Sequence, residues 1–273
     1  MKPMAATRQF DYVIVGAGSA GCVLANRLTQ DPQSRVLLLE AGGASTGLFK
    51  DMPMAFPKYV LRRDLNWNFE TEPEPYLNGR RIEIPRGKGL GGSSMINGMV
   101  YARGHRLDYD DWARRGLAGW SYADVLPYFR KSERSWLGEN LYHGASGEME
   151  IAVPKTNMLY DEIRAASVAA GFPATDDYHG LQTEGFQRSE MTVARGRRGS
   201  AARLFLKPAM SRSNLHVETR TLASRVRVES GRAVGVDYVR DGQNFTATAD
   251  REVIVAGGVY GSPQLLMLSG IGP

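Results

Sequence analysis

Cysteine is almost missing from this sequence. Cys22 stands alone among 273 residues, so no disulfide framework braces the fold, and this usage fits a reducing compartment. Cys22 falls in an apolar helical stretch and reads as a small packed residue rather than a nucleophile. Long apolar runs are also missing: none approaches the roughly 20 residues of a membrane-spanning helix. Met1 to Gln9 is short and polar, without the apolar centre of a signal peptide. A cytoplasmic protein is expected, at most peripheral at a membrane. Neither sign of charge is in large excess, since 34 Lys and Arg against 29 Asp and Glu leave a formal net charge of +5. With no compact Lys/Arg tract beside it, that balance argues against a nucleic-acid partner. Internal repeats, heptads and low-complexity tracts are absent. The 42% hydrophobic and 23% charged residues describe an ordinary globular chain of one large domain or two smaller ones.

What is present begins with Phe10 to Gly43, FDYVIVGAGSAGCVLANRLTQDPQSRVLLLEAGG. It reads strand, glycine turn, helix, strand. Tyr12 to Val15 is an apolar, β-branched run suited to a strand buried on both faces. Gly16 permits the tight turn, Gly18 lets the backbone approach a pyrophosphate, and Gly21 lets the helix lie close against the strand. The helix, expected over Ser19 to Thr29, aims its free N–H groups at the phosphates. Val36 to Leu39 form the next strand and Glu40 closes it. A carboxylate about 20 residues beyond the glycines suits the hydroxyls of an adenosine ribose and disfavours a 2′-phosphate. The motif does not by itself separate FAD from NAD.

Gly42 to Glu83 reads as a long excursion punctuated by Pro53, Pro57, Pro73 and Pro75. Asn66 to Phe69 alternates like a short strand. Trp67 is read as a packing residue, with a wall beside a cofactor as its alternative. A second glycine-rich stretch follows, Arg86 to Asp108, RGKGLGGSSMINGMVYARGHRLD. Gly87, Gly89, Gly91 and Gly92 leave the backbone unhindered, and such a run can wrap a phosphate or a flavin edge. Asn97-Gly98 also suits a plain turn. Two glycine loops suggest a cofactor gripped from two sides, which a buried FAD requires and a simple Rossmann NAD site does not.

Three blocks, VIVGAGSAGCVLANRL with LLLEAGG, RGKGLGGSSMINGMVYARG, and the terminal GSPQLLMLSGIGP, resemble the N-terminal part of the glucose–methanol–choline (GMC) flavoprotein oxidoreductases. The choline dehydrogenase-like branch is the most similar. NWNFETEPEP and DDWARRGLAGWSYADVLPYFRKSE agree as well, so the resemblance covers nearly the whole chain. It implies an FAD-dependent oxidation of an alcohol to an aldehyde, with oxygen or a quinone-type molecule accepting the electrons. It implies that Gly16, Gly18, Ser19, Ala20 and Gly21 hold the FAD pyrophosphate and that Glu40, with Ala41 beside it, holds the ribose. Trp67, Arg86, Gly87, Gly89, Gly92 and Ser93 would lie along the cofactor. Asn97, Gly98, Met99 and Val100 would pass the isoalloxazine ring. Ala223 would meet the adenine through its backbone, and Ala256, Gly257 and Gly258 would run near the dinucleotide. Some family members tether the flavin through a His just before this Asn. Ile96 stands there, so a noncovalent FAD is implied.

The remaining elements are expected as follows. Asp110 to Arg115 and Ser121 to Arg134 read as helices, the second capped by Ser121 and buried through Val125, Leu126, Tyr128 and Phe129. Asn157 to Ala170 reads as an amphipathic helix ending at Gly171. His143 reads as a loop residue holding a turn. Asp176-Asp177-Tyr178-His179 lacks metal-ligand spacing, and no metal is expected. Arg195 to Arg203 is the densest basic stretch, by default a solvated face or loop, with an anion-facing role as its alternative because it precedes a helix over Ser200 to Met210. Leu215 to Glu218, Ala223 to Glu229, Ala233 to Arg240 and Asn244 to Thr248 read as an antiparallel meander. Arg251 to Ala256 reads as a further strand, and Pro263 as the opening of a helix over Gln264 to Ser269.

The expected fold is α/β: a Rossmann-like FAD domain in two parts, residues 1–110 and 195–273, with an inserted partial α+β substrate-side region, 111–194, and a β meander. The family's catalytic base is a His near a more distant C-terminus. His105, His143, His179 and His216 do not match it, so no catalytic residue is assigned. The chain reads as an N-terminal fragment without alcohol dehydrogenase activity of its own. Two other readings stand beside this one: a nonenzymatic flavin-binding module and an NAD-dependent Rossmann dehydrogenase.

Overall fold

A computed structural model describes residues 8–44, 51–154 and 159–273. In chain order the elements are β1 (Arg8–Val15), α1 (Ser19–Leu28), β2 (Val36–Leu39), α2 (Phe56–Val60), β3 (Phe69–Glu70), β4 (Glu83–Ile84), α3 (Arg106–Arg114), α4 (Tyr122–Ser132), β5 (Glu133–Arg134), β6 (Met149–Glu150), α5 (Tyr160–Ala169), β7 (Val193–Ala194) and β8 (Arg197–Arg198). A π-helical stretch, Ala202–Leu206, then leads into α6 (Lys207–Ala209), β9 (Leu215–Glu218), β10 (Thr221–Glu229), β11 (Arg232–Arg240), β12 (Gln243–Val255) and α7 (Gly258–Leu268). The chain forms two compact units, Met1–Gly98 with Ser200–Pro273, and Met99–Gly199. Among the described residues no helix is long and apolar enough to cross a membrane.

The first unit is built on a six-stranded sheet in the order β10-β11-β12-β1-β2-β9. β12, β1, β2 and β9 run parallel, whereas β10 and β11 attach antiparallel to the edge. This is the Rossmann-like α/β arrangement expected. Strand alternation sends side chains to two faces. Val13, Val15, Leu37 and Leu39 join Val226, Val236, Tyr238 and Leu265 on one face. Ile14, Val36 and Leu38 join Ala17, Cys22, Ala25, Phe205 and Leu206 on the other. All four residues of β2 are buried, which explains its unbroken apolar sequence.

Several expectations need correction. Leu215–Glu218 is not part of the meander: it pairs parallel with β2, Val36 to Leu215 through Leu39 to Glu218. Alternation alone cannot tell a strand's partner, and this one lies far away in sequence. The strands expected at Asn244 to Thr248 and Arg251 to Ala256 are one strand, β12. Gln243 to Thr248 pair with β11 while Ala247 to Val255 run along β1, with a register irregularity between Phe10 and Tyr12. Pro263 lies inside α7 rather than at its start, because Gly257 is the N-cap and the helix begins at Gly258. Of Asn66 to Phe69 only Phe69 enters a strand. Asn68 sits in the left-handed region at φ 57°, and the Asn66 side chain accepts the Arg86 N–H at 2.9 Å.

The helices shift in similar ways. α3 begins four residues before Asp110, where the His105 ring accepts the Leu107 N–H as a cap. Ser121 and Asp124 form the reciprocal cap of α4, but that helix stops at Ser132, and Tyr128 is 71% exposed rather than buried. α5 lies within its expected span, with residues 155–158 outside the described ones, and Ile163 and Val168 on it are exposed. The helix expected from Ser200 takes a π-helical turn at Ala202–Leu206. Arg198, expected on a solvated face, is buried because it points opposite to exposed Arg197 along β8.

Candidate functional site: a cleft between two glycine loops

A cleft of about 510 Å³ opens at the carboxyl ends of β1, β2 and β12, where ligands bind in open α/β sheets. Gly16, Gly18, Ser19 and Ala20 line it from the β1–α1 turn, and Glu40 and Ala41 from the end of β2. Trp67, Arg86, Gly87, Gly92 and Ser93 line it from the excursion, and Ala223, Ala256 and Gly257 from the later strands. The structure thus brings most of the proposed cofactor-binding residues together.

The others lie elsewhere. Gly21 is behind the cleft, where a Cβ would strike the Gly16 carbonyl. Gly89 is also behind it, at φ 146°, with room for no Cβ beside the Gly43 carbonyl. Asn97 and Gly98 follow the turn Gly92–Met95 without lining the cleft, and the Asn97 N–H donates to the Ser93 carbonyl at 2.9 Å. Met99 and Val100 belong to the second unit. There the Met99 carbonyl accepts the Thr192 N–H at 2.8 Å, and Val100 pairs with Met191.

The two glycine loops dock backbone against backbone. The Gly91 N–H donates to the Ala17 carbonyl at 2.8 Å, and the Leu90 N–H to the Gly43 carbonyl at 3.1 Å. A Cβ on Gly92 would come within 2.7 Å of the Gly18 Cα. Side chains pin this arrangement. The Ser93 hydroxyl accepts the Gly87 N–H at 3.1 Å, and the Ser94 hydroxyl donates to the Gly91 carbonyl at 2.5 Å.

The loop suits a diphosphate on three observations. α1 starts at Ser19 with no side chain capping its amides and no acid in its first turn, so its positive end stays available to an anion. A Cβ on Gly18 would meet nothing within 4 Å, so that side of the loop is open. Gly16 holds φ 99° with the Ala256 carbonyl 2.5 Å from where its Cβ would be, a conformation and a space that only glycine satisfies.

Glu40 is 6% exposed. Burial pushes its carboxyl above the ordinary range, while the amides of Gly42, Ala17 and Gly89 act in the opposite sense. Its Oε2 accepts the Ala17 N–H and its Oε1 the Gly42 N–H, both at 2.8 Å. The carboxylate is therefore already bonded to the protein, and a ribose would use its remaining lone pairs. Behind it, burial pushes the Cys22 thiol up to about 12, and its sulfur lies 3.2 Å from the Ala17 carbonyl. Cys22 is packed and not nucleophilic.

One side of the cleft is aromatic. Trp67 stacks on Phe69 at 5.9 Å, Phe69 meets Tyr260 edge-on at 5.4 Å, and the Arg86 guanidinium lies 5.2 Å from the Tyr260 ring. Gly258, expected beside the dinucleotide with Gly257, lines the cleft too, whereas Phe69, Thr221, Leu222, Val255 and the run from Val259 to Ser262 line it without having been picked out as cofactor contacts from sequence. The signal lay in Gly257-Gly258, a glycine pair at a strand end, which marks a helix N-terminus better than Pro263 does.

No histidine lines the cleft. His105 caps α3, and the His216 ring meets Phe10 edge-on at 5.4 Å. His143 does more than hold a turn: its ring is fully buried between Glu133, at 2.9 Å from Nδ1, and Asp177, at 3.0 Å from Nε2. Nothing from Arg195 to Arg203 lines the cleft. Among the described residues no group of His, Cys, Asp and Glu has the geometry to hold a metal ion.

With this geometry in place, the comparisons agree with one another. The GMC oxidoreductase family matches residues 10–273. The oxygen-dependent choline dehydrogenases of Burkholderia thailandensis and Burkholderia pseudomallei are 50% and 51% identical over 98% of this chain, which spans 48% of their length. Pyridoxine 4-oxidase from Mesorbium loti superposes with a TM-score of 0.92 at 34% identity, over 97% of this chain and 52% of that one. An FAD-dependent oxidoreductase from Chaetomium thermophilum gives 0.90 at 30% identity, over 97% of this chain and 48% of its own. The chain spans about half the length of the curated relatives it matches, and it belongs to the GMC oxidoreductase family.

Proposed function

We propose that this chain binds FAD noncovalently and forms the cofactor-holding part of an enzyme that oxidises a small alcohol, choline-like in class, with oxygen as the acceptor. The observation that carries this reading is the cleft between two glycine loops at the sheet's carboxyl edge. A Rossmann site for NAD needs only the first loop.

Bound FAD would supply the hydride acceptor for the carbinol carbon of the alcohol. The protein's part is to hold and orient it. The N-terminal amides of α1 and the backbone of Gly16 to Ala20 would receive the pyrophosphate, and Glu40 the adenosine ribose. Ala223 would meet the adenine, while Arg86, Gly87, Gly92 and Ser93 would close over the cofactor from the second loop. Asn97, Gly98, Met99 and Val100 are proposed to follow the flavin ring, and Met99–Gly199 to belong to the substrate side. Ile96, buried beside Tyr59, Leu65 and Met95, offers no nucleophile to a flavin, which supports the noncovalent reading. Removal of the alcohol proton needs a base within about 3 Å of it, and no cleft-lining histidine supplies one.

The test is to reconstitute the 273-residue chain with FAD, follow quenching of flavin fluorescence, and then precipitate the protein with acid. Flavin recovered in the supernatant is the expected result. Yellow colour kept in the precipitate overturns noncovalent binding, and tighter binding of NAD than of FAD overturns the cofactor.

A further inference from the structure

A buried carboxylate is poorly placed if its only role is to await a ribose. Glu40 lies where several stretches of backbone converge. Its Oε2 takes the N–H of Ala17, in the first glycine loop, and its Oε1 takes the N–H of Gly42, beyond β2. The amide of Gly89, in the second loop, also favours its charge. The peptide that follows is held as well, since the Ala17 carbonyl accepts the Gly91 N–H at 2.8 Å. Ala17 is fully buried, so water cannot replace these partners. Each amide would be left unsatisfied without the carboxylate, and unsatisfied buried amides are costly.

We propose that Glu40 is a positioning residue as well as a ribose ligand: it clamps the first glycine loop, on which the second docks through Gly91, to the backbone beyond β2 and so shapes the pyrophosphate cradle before any nucleotide arrives. This needs a side chain with an acceptor at each of its two terminal atoms. A carboxylate offers acceptors on both oxygens, whereas an amide of the same shape must turn one NH₂ toward a backbone N–H. The inference rests on the FAD reading for its purpose, but not for its geometry.

The test uses Glu40→Gln in the full 273-residue chain. Without nucleotide, hydrogen exchange is expected to accelerate at least tenfold in peptides covering Gly16 to Gly21 and Ala41 to Ala44. Exchange across the meander, Thr221 to Arg240, is expected to stay at the wild-type rate, which separates a local clamp from a loosened fold. Binding is then compared with FAD and with an analogue whose adenosine ribose lacks both hydroxyls. A clamp predicts that the variant binds this analogue at least tenfold more weakly than wild type does. Unchanged exchange, acceleration spread equally over the meander, or equal affinity of both proteins for the analogue overturns the proposal. Should the variant not fold, wild type without nucleotide decides. Ala17 and Gly42 amides as protected as that of Gly16 support the clamp, and free exchange at either overturns it. Failure of the FAD reading would show separately, as wild type binding neither nucleotide while the exchange results stand.

Discussion

In the unit that carries the sheet, the polar contacts around the cleft run mostly between backbone groups; in Met99–Gly199 they run between ionised side chains. Around the cleft, amides meet carbonyls across glycines, and Glu40 is the one buried carboxylate among the lining residues. In the second unit, Glu133 is fully buried and gathers several partners. It pairs with Arg103 at 2.7 Å and His143 at 2.9 Å, and it accepts the Tyr101 hydroxyl at 2.8 Å and the Gly144 N–H at 3.1 Å. Burial alone would raise its carboxyl, but these partners outweigh that and hold it at about 2. Nearby, burial and the charges of Arg103 and His143 hold His179 down to about 4, with the Tyr101 carbonyl and Asp177 acting in the opposite sense. At the cleft the tightest constraint is steric at Gly16 and Gly92, where a Cβ would strike backbone; in the charged core it is the balance of buried charge around Glu133.

The sharpest way to break this contrast is to neutralise the hub of the charged core. Glu133→Gln leaves the Arg103 guanidinium and the His143 ring buried without their shared counter-charge. A loss of about 3–5 kcal/mol is expected, read as a lower urea midpoint for the Met99–Gly199 unit by intrinsic fluorescence. An unshifted midpoint would show that the network contributes nothing net.

The matching change in the other unit adds one methyl group. Gly92 holds φ 52° and has no space for a Cβ beside Gly18. Gly92→Ala must push the loops apart, and FAD affinity is expected to fall about 100-fold, which is about 2.7 kcal/mol. Titration by flavin fluorescence reads this, and wild-type affinity would mean that the loops separate at little cost.

The smallest effect concerns pH. Both nitrogens of the His143 ring face carboxylate oxygens, which suits the doubly protonated ring. Burial lowers its affinity for the proton, but Glu133 and Asp177 more than reverse this, so the folded value is raised. Its contribution to stability is therefore complete below the ordinary value of about 6.5 and fades as pH rises through the raised folded value. Unfolding midpoints above neutrality should fall in wild type and stay flatter in His143→Gln. Parallel slopes would remove His143 as the cause.

The cleft was legible in sequence where backbone conformation dictates residue type. Gly16, held at φ 99° against the Ala256 carbonyl, and Glu40, bonded to the Ala17 and Gly42 amides at a strand end, are constrained by the turn they make. The rest depended on tertiary partners. β9 alternates like the meander strands, and only its pairing with β2 shows otherwise. β12 reads as two strands because Asp250 and Arg251 interrupt its apolar pattern, yet no turn residue does. The charged core left no periodic trace. His143 lies 10 residues from Glu133 and 34 from Asp177, with Arg103 further back and all but Glu133 in loops, and only packing turns them into neighbours.

The long strand β12 also has a consequence for how the chain is made. β1 lies between β2 and β12, and one of its two partners follows quickly in translation. The other does not: contacts such as Arg8 with Thr248 span 240 residues. At about 5–20 residues per second, roughly 10–50 s pass between synthesis of the two strands. Throughout that interval the apolar edge of β1 is an open template for another chain. The hazard belongs to the nascent protein on the ribosome, and it makes Val13 to Val15 the segment where a holding chaperone would be needed first.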